Sequence, residues 1–136
     1  MIGELMEIVV IDGLGGGIGK SVIEAIKKEL PDTFVIGVGT NSAATNNMKK
    51  GGADVVATGE NAVVYNASRA SLIVGPIGIV FGNSMYGEIS PTMANAISCS
   101  DAQKYLIPVS QCSGHVLGVE SKTIQEYIQD FIQILK

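Results

Sequence analysis

The chain carries little charge. Only 16% of its 136 residues are Asp, Glu, Lys or Arg, against roughly 25% in an ordinary globular domain. A deficit of this kind is expected when part of the surface is buried against a second copy, so a homo-oligomer is expected. Basic residues are scarce, and Arg69 is the sole arginine; the net charge is −4 and the pI about 4.8. Without clustered cations there is no footprint for a phosphate backbone, which excludes nucleic acid as a main partner. The pairs Lys27-Lys28 and Lys49-Lys50 fall at expected helix ends, where cations favour the helix dipole. No apolar run reaches the ~18 residues that a bilayer span needs. The opening residues Met1-Ile-Gly-Glu4 lack the basic and apolar pattern of a secretory leader, so a cytoplasmic protein without a membrane partner is expected.

Cysteine is also scarce. Cys99 and Cys112 make no CxxC spacing, and reduced thiols are expected. The single histidine, His115, lies three residues after Cys112. Two such residues are too few to hold zinc, and no metal site is expected. A Cys–His nucleophilic pair stands as an alternative to a structural role for both.

What is present is an alternation of short apolar runs and amphipathic stretches. A chain of this length buries roughly two-thirds of its unfolded surface, enough for one core, and a single domain over 1–136 is expected. Strands are expected at Glu7–Asp12, Phe34–Val38, Asp54–Ala57, Leu72–Gly75 and Tyr105–Val109. His115–Val119 reads as a sixth strand. The connection before it is too short for a parallel crossover, so it is placed antiparallel at an edge. Helices follow the first three strands: one ends at Pro31, a second is capped by Ser42 and stops at Gly51, and a third runs from Glu60 to Arg69 with Thr58 as its cap. Ser90-Pro91 opens a fourth. Thr123-Ile-Gln-Glu126 is a capping box. It precedes an apolar stripe of Ile124, Tyr127, Ile128, Phe131, Ile132 and Leu135 that is expected to pack in the core, with a dimer interface as the alternative. Together these predict a three-layer, Rossmann-like α/β domain with a mostly parallel sheet of about five strands.

In such sheets ligands bind beyond the carboxyl ends of the strands. Beyond the first strand lies Gly13-Leu-Gly-Gly-Gly-Ile-Gly19, followed by Lys20 and Ser21. Glycines let backbone N–H groups approach a phosphate closely, and the helix start adds unpaired donors and positive partial charge. One or two glycines would suffice for a tight turn, whereas five point to an anion site. Asp12, Gly13, Gly15, Gly16, Gly17, Ile18, Gly19 and Lys20 are therefore candidate binding residues. Thr40 and Asn41 after the second strand are candidates for ribose hydroxyls. Gly59, Glu60 and Asn61 after the third strand and Pro76 and Gly78 after the fourth complete the expected rim. Arg69 is a candidate anion clamp or a surface residue. The segment Gly82–Glu88, with Asn83, Ser84 and Tyr86, reads as a lid or as a surface loop. No complete catalytic constellation is present.

The spacing Gly13-x-x-x-Gly17-Ile18-Gly19 resembles the nucleotide-binding loop of short-chain dehydrogenases over the first ~40 residues, which makes NAD(P) the leading cofactor. The usual acid after the second strand is replaced by Thr40-Asn41, and the family's Tyr-x-x-x-Lys is absent. In a second frame, Gly16-Gly-Ile-Gly-Lys20-Ser21 resembles the deviant Walker loop of a class of ATPases. That resemblance implies ATP with magnesium, Lys20 on the phosphates and Ser21 on the metal; Leu14 and Gly15 depart from its pattern. Over its full length the chain resembles a family of small uncharacterised bacterial proteins carrying a domain of unknown function. The marks are Asp12-Gly13 with Gly15–Lys20, Ala57–Ala62 and Gly75–Ile79. The expected function is binding of a nucleotide, dinucleotide or phosphorylated metabolite. A small enzyme with Asp12, Lys20 or Glu60 as its acid–base group, a P-loop-like hydrolase, and a structural protein whose glycines only pack are the alternatives.

Overall fold

The computed structural model describes residues 7–109 and 114–136. The elements alternate as expected: β1 (Ile8–Asp12), α1 (Gly17–Glu29), β2 (Val35–Gly39), α2 (Ser42–Lys50), β3 (Val55–Thr58), α3 (Glu60–Ala67), β4 (Leu72–Pro76), a short 3-10 turn (Ile77–Val80), α4 (Pro91–Ser98), β5 (Gln103–Ile107) and α5 (Ile124–Leu135). All five strands are parallel, in the order β3-β2-β1-β4-β5.

The pleat sorts the apolar strand residues onto two faces. Ile8 and Val10 of β1, with Leu72 and Val74 of β4, pack under α1, α2 and α5. Val9, Ile11 and Ile73 face α3 and α4. Covering on both sides explains why β1 runs unbroken and apolar from Ile8 to Ile11, with every residue of the strand buried. The stripe on α5 is core, as expected: Ile128, Phe131, Ile132 and Leu135 are buried, and Phe131 meets the Tyr105 ring at 5.4 Å. Thr123 and Glu126 close the capping box. Lys27-Lys28 and Lys49-Lys50 occupy last helical turns.

Several local expectations differ from the structure. No antiparallel strand forms at 115–119. The segment turns at Leu117 and Gly118, and Gly118 adopts a left-handed φ of 84° that breaks any pleat. Its apolar residues lie exposed, Leu117 by 91%. The fifth strand sits two residues early because Pro108, which has no N–H for the ladder, follows it. Asn41, not Ser42, caps α2 by accepting the Ala44 N–H at 2.8 Å. Gly59 precedes α3, and Thr58 instead pairs its hydroxyl with Thr45 at 2.7 Å. No helix among the described residues is long and apolar enough to cross a membrane.

The strand order reverses beside β1, which pairs with β2 on one side and β4 on the other. A crevice opens at such a switch point, between the loops that leave the two central strands. Here those loops are the glycine loop after β1 and the long connection between β4 and α4.

Candidate functional site

Asp12 closes β1 and organises the loop beyond it. Its side chain is 4% exposed. One carboxyl oxygen accepts the Gly13 N–H and the other the Gly19 N–H, each at 2.7 Å. Burial pushes its proton affinity above the ordinary carboxylate value; the Gly19 and Gly13 amides oppose this, and the Glu88 charge adds to it. The loop then coils tightly, with left-handed backbone at Leu14 (φ 49°) and Gly16 (φ 73°).

The glycines fall into two groups. A Cβ on Gly13 would lie 2.6 Å from the Thr40 hydroxyl oxygen, and one on Gly16 would lie 2.6 Å from Ala44 Cα, so packing explains both. A Cβ on Gly15 or Gly17 would meet nothing within 4 Å. Both residues line a cavity of about 300 Å³, together with Asp12, Gly13, Leu14, Gly16, Ile18, Pro76, Gly78, Met85, Val109 and Ile124. Gly16, at the N-cap of α1, brings no side-chain cap. The backbone N–H groups of Gly15, Gly17 and Ile18 find no acceptor among the described residues.

The segment 82–88 crosses the loop as a strap. Asn83, Met85, Tyr86 and Gly87 all hold positive φ, at 68°, 57°, 57° and 90°. Ser84 donates its hydroxyl to the Gly78 carbonyl, and the Asn83 N–H bonds the Ile89 carbonyl at 2.6 Å. Met85 is buried and forms one cavity wall. Glu88 fixes the strap to the loop: its Oε1 accepts the Leu14 N–H (2.8 Å), the Thr40 hydroxyl (2.6 Å) and the Asn41 amide (2.9 Å). Burial raises its proton affinity, but these donors outweigh that and leave it below the ordinary value.

Among the expected site residues, Asp12, Gly13, Gly15, Gly16, Gly17, Ile18, Pro76 and Gly78 come together at the cavity. Gly19 lies just beneath, bonded to Asp12. The others are placed elsewhere. Lys20 packs against Gly51 at the end of α2, and neither it nor Ser21 lines the cavity. Thr40 and Asn41 are bonded to Glu88 and do not face the cavity. Glu60 accepts the Ser90 hydroxyl at 2.6 Å, and it, Gly59 and Asn61 are absent from the wall. Arg69 stacks over the Tyr65 ring at 4.9 Å. Cys112 lies outside the described residues, Cys99 is exposed at the end of α4, and His115 lines a second cavity. No group of three or more potential metal ligands occurs among the described residues. Nothing in the sequence around Glu88 signals its role, because its partners stand 47, 48 and 74 positions away.

Fold and crevice define a parallel α/β domain with a glycine-lined cavity at its switch point. By sequence the chain belongs to the family described as Domain of unknown function (DUF3842), whose model matches residues 7–136. No curated protein matches it. Among solved structures it is similar to one titled a dodecameric FMN-dependent Ubix-like decarboxylase from Escherichia coli O157:H7. The identity is 16% and the TM-score 0.47, covering 95% of this chain and 75% of that one.

Proposed function

We propose that this protein binds a small phosphate-bearing ligand, a nucleotide or phosphorylated metabolite, in the cavity at its glycine loop. The observation that carries the reading is the pair Gly15 and Gly17. Neither is required by packing or by a left-handed backbone, and both border the cavity. Their N–H groups, with that of Ile18, are available at the positive end of α1, where an anion is favoured. Binding without turnover fits the lack of a catalytic constellation around the cavity. A Walker-type role is disfavoured by Lys20, which leans on Gly51.

A thermal-shift series with NAD, NADP, ATP plus magnesium, flavins, coenzyme A and sugar phosphates tests the reading. A ligand specific for the folded state adds ~2.7 kcal/mol at a hundred times its dissociation constant. The expected result is a shift that Gly17→Val removes while the variant stays folded. A panel in which nothing binds, or a Gly17→Val protein that binds normally, overturns it.

Self-association is a second proposal. The low charge fraction supports it, as do the exposed apolar residues Val55 on the β3 edge strand and Ile134 on α5. Sedimentation at several concentrations tests it; a monomer throughout would sink it.

A further inference from the structure

A second cavity of about 680 Å³ adjoins the first, and Ile18, Val109 and Ile124 line both. Both volumes fall in or near the roughly 300–1,000 Å³ range of small-molecule sites. We propose that the ligand is a phosphate monoester whose apolar or heteroaromatic body, of mononucleotide size, extends from the glycine loop over β4 and β5 into this second cavity. The inference rests on the phosphate reading above.

Three observations give the direction. First, the β2 side is closed. Thr40, Met85 and Glu88 approach Gly13 so closely that even a Cβ there would lie within 2.9 Å of each, and the polar groups after β2 are consumed by Glu88. A dinucleotide's adenosine, which follows β2 in Rossmann domains, would have to displace these contacts, and neither Thr40 nor Asn41 lines either cavity. Second, the second cavity sets apolar walls at Ile77, Pro108, Val116 and Val119 beside polar groups at His115, Glu120 and Ser121, a mixed lining that suits a heteroaromatic body. Val116 and Val119 are 50% and 43% exposed, so a ligand body covering them would remove apolar surface from water. Third, its lysine is already committed: Lys122 pairs with Asp130 at 2.7 Å and Glu120 at 3.7 Å. Among the described lining residues that lysine is thus neutralised, and the Glu120 carboxylate beside it would repel a second phosphoryl group, which favours a monoester.

The test is calorimetric titration of the full chain with inorganic phosphate, ribose 5-phosphate, AMP, FMN and NAD. At least one of AMP and FMN is expected to bind ten-fold or more tighter than ribose 5-phosphate, with NAD no tighter than the better of them. Val119→Trp, at an exposed position, fills the second cavity. It is expected to erase that ten-fold gain and leave the affinity for inorganic phosphate and ribose 5-phosphate unchanged. Val116→Trp, which adds bulk without charge, provides the same test if the first variant does not fold. Equal affinity for ribose 5-phosphate and both ring-bearing monophosphates overturns the inference, as does a gain that survives both variants or NAD binding ten-fold tighter than either. In each of those cases the phosphate reading stands. If no phosphate compound binds the wild type, the phosphate reading itself fails, and the inference with it.

Discussion

Glu88 and Leu14 stand 74 positions apart in the chain, yet a Glu88 carboxylate oxygen accepts the Leu14 backbone N–H at 2.8 Å. The same oxygen holds Thr40 and Asn41. One atom therefore joins the glycine loop, the residues after β2 and the strap. Donors gathered on a charged acceptor make stronger bonds than neutral pairs do.

Removing that acceptor should loosen all three segments. Glu88→Ala is expected to cost about 2–3 kcal/mol, since hydrogen bonds to a charged group contribute ~1.5–3 kcal/mol each and this group is only half-buried. Glu88→Gln should cost less. The pH dependence has a definite sign. Glu88 has a folded-state proton affinity below its ordinary value, so its contribution is complete above the unfolded carboxylate range, near pH 4.3. It is lost as pH falls through the lower folded value. Urea denaturation between pH 7 and pH 3 measures this. If both variants lose stability in acid as steeply as the wild type, Glu88 does not act as a charged clamp.

The fold was legible because its signals are local. Continuous apolar runs marked β1, β2 and β4, and the Thr123–Glu126 box marked the start of α5. The segment 115–119 differs from the antiparallel strand expected there: apolar composition suits a strand, but Gly118 bends the backbone, and Val116, Leu117 and Val119 stay 50%, 91% and 43% exposed. The geometry of the candidate site was half legible. Glycine density located the loop, because close approach to a ligand and tight turning both select glycine. Which glycines serve which purpose depends on Ala44 and Thr40, whose positions only the packed structure supplies. Glu88 was hidden for the same reason, since nothing near it in sequence announces partners on two other loops.

The two kinds of glycine should separate by experiment. Gly15→Ala and Gly17→Ala are expected to leave stability unchanged or raise it by up to ~1 kcal/mol, because alanine restricts the unfolded chain more than glycine does. Gly16→Ala should destabilise by about 2 kcal/mol or more: its φ is 73° and the Ala44 backbone blocks the new methyl group. Gly75→Ala should be at least as damaging, because its methyl would lie 2.3 Å from the Ile11 carbonyl oxygen. Chemical denaturation of the four variants decides. Equal losses at all four positions would mean that Gly15 and Gly17 are structural after all.

Tyr86 is fully exposed and holds a φ of 57°. It buries nothing, while left-handed backbone costs a bulky residue about 1–2 kcal/mol. Asparagine tolerates that conformation better. Tyr86→Asn should therefore keep or raise stability, by up to ~1 kcal/mol. A clear loss would show that the aromatic ring has a contact partner in solution, and a protein partner covering the strap would be the next thing to seek.

If an anion binds at the loop as proposed, Asp12 is expected to set its pH dependence. Its carboxyl lies under the loop and is held above the ordinary carboxylate value by burial. The folded state thus keeps this proton to higher pH than the unfolded chain does. Protonation adds stability as pH falls through the folded value, and that gain is complete below the unfolded one, near 3.9. This is opposite in sign to Glu88. An anion on the Gly15, Gly17 and Ile18 N–H groups faces an ionised Asp12 above the folded value and a neutral one below it. Sulfate, whose charge does not change over this range, is the suitable probe. Its affinity should rise about ten-fold as pH falls through the Asp12 titration, which corresponds to ~1.4 kcal/mol of relieved repulsion. Asp12→Asn, which keeps one of the two acceptors for the Gly13 and Gly19 N–H groups, should lose stability but show little pH dependence of sulfate binding over this range. A wild-type affinity that stays flat with pH, or an Asp12→Asn protein with the wild-type slope, would place the anion away from Asp12 and therefore away from this loop.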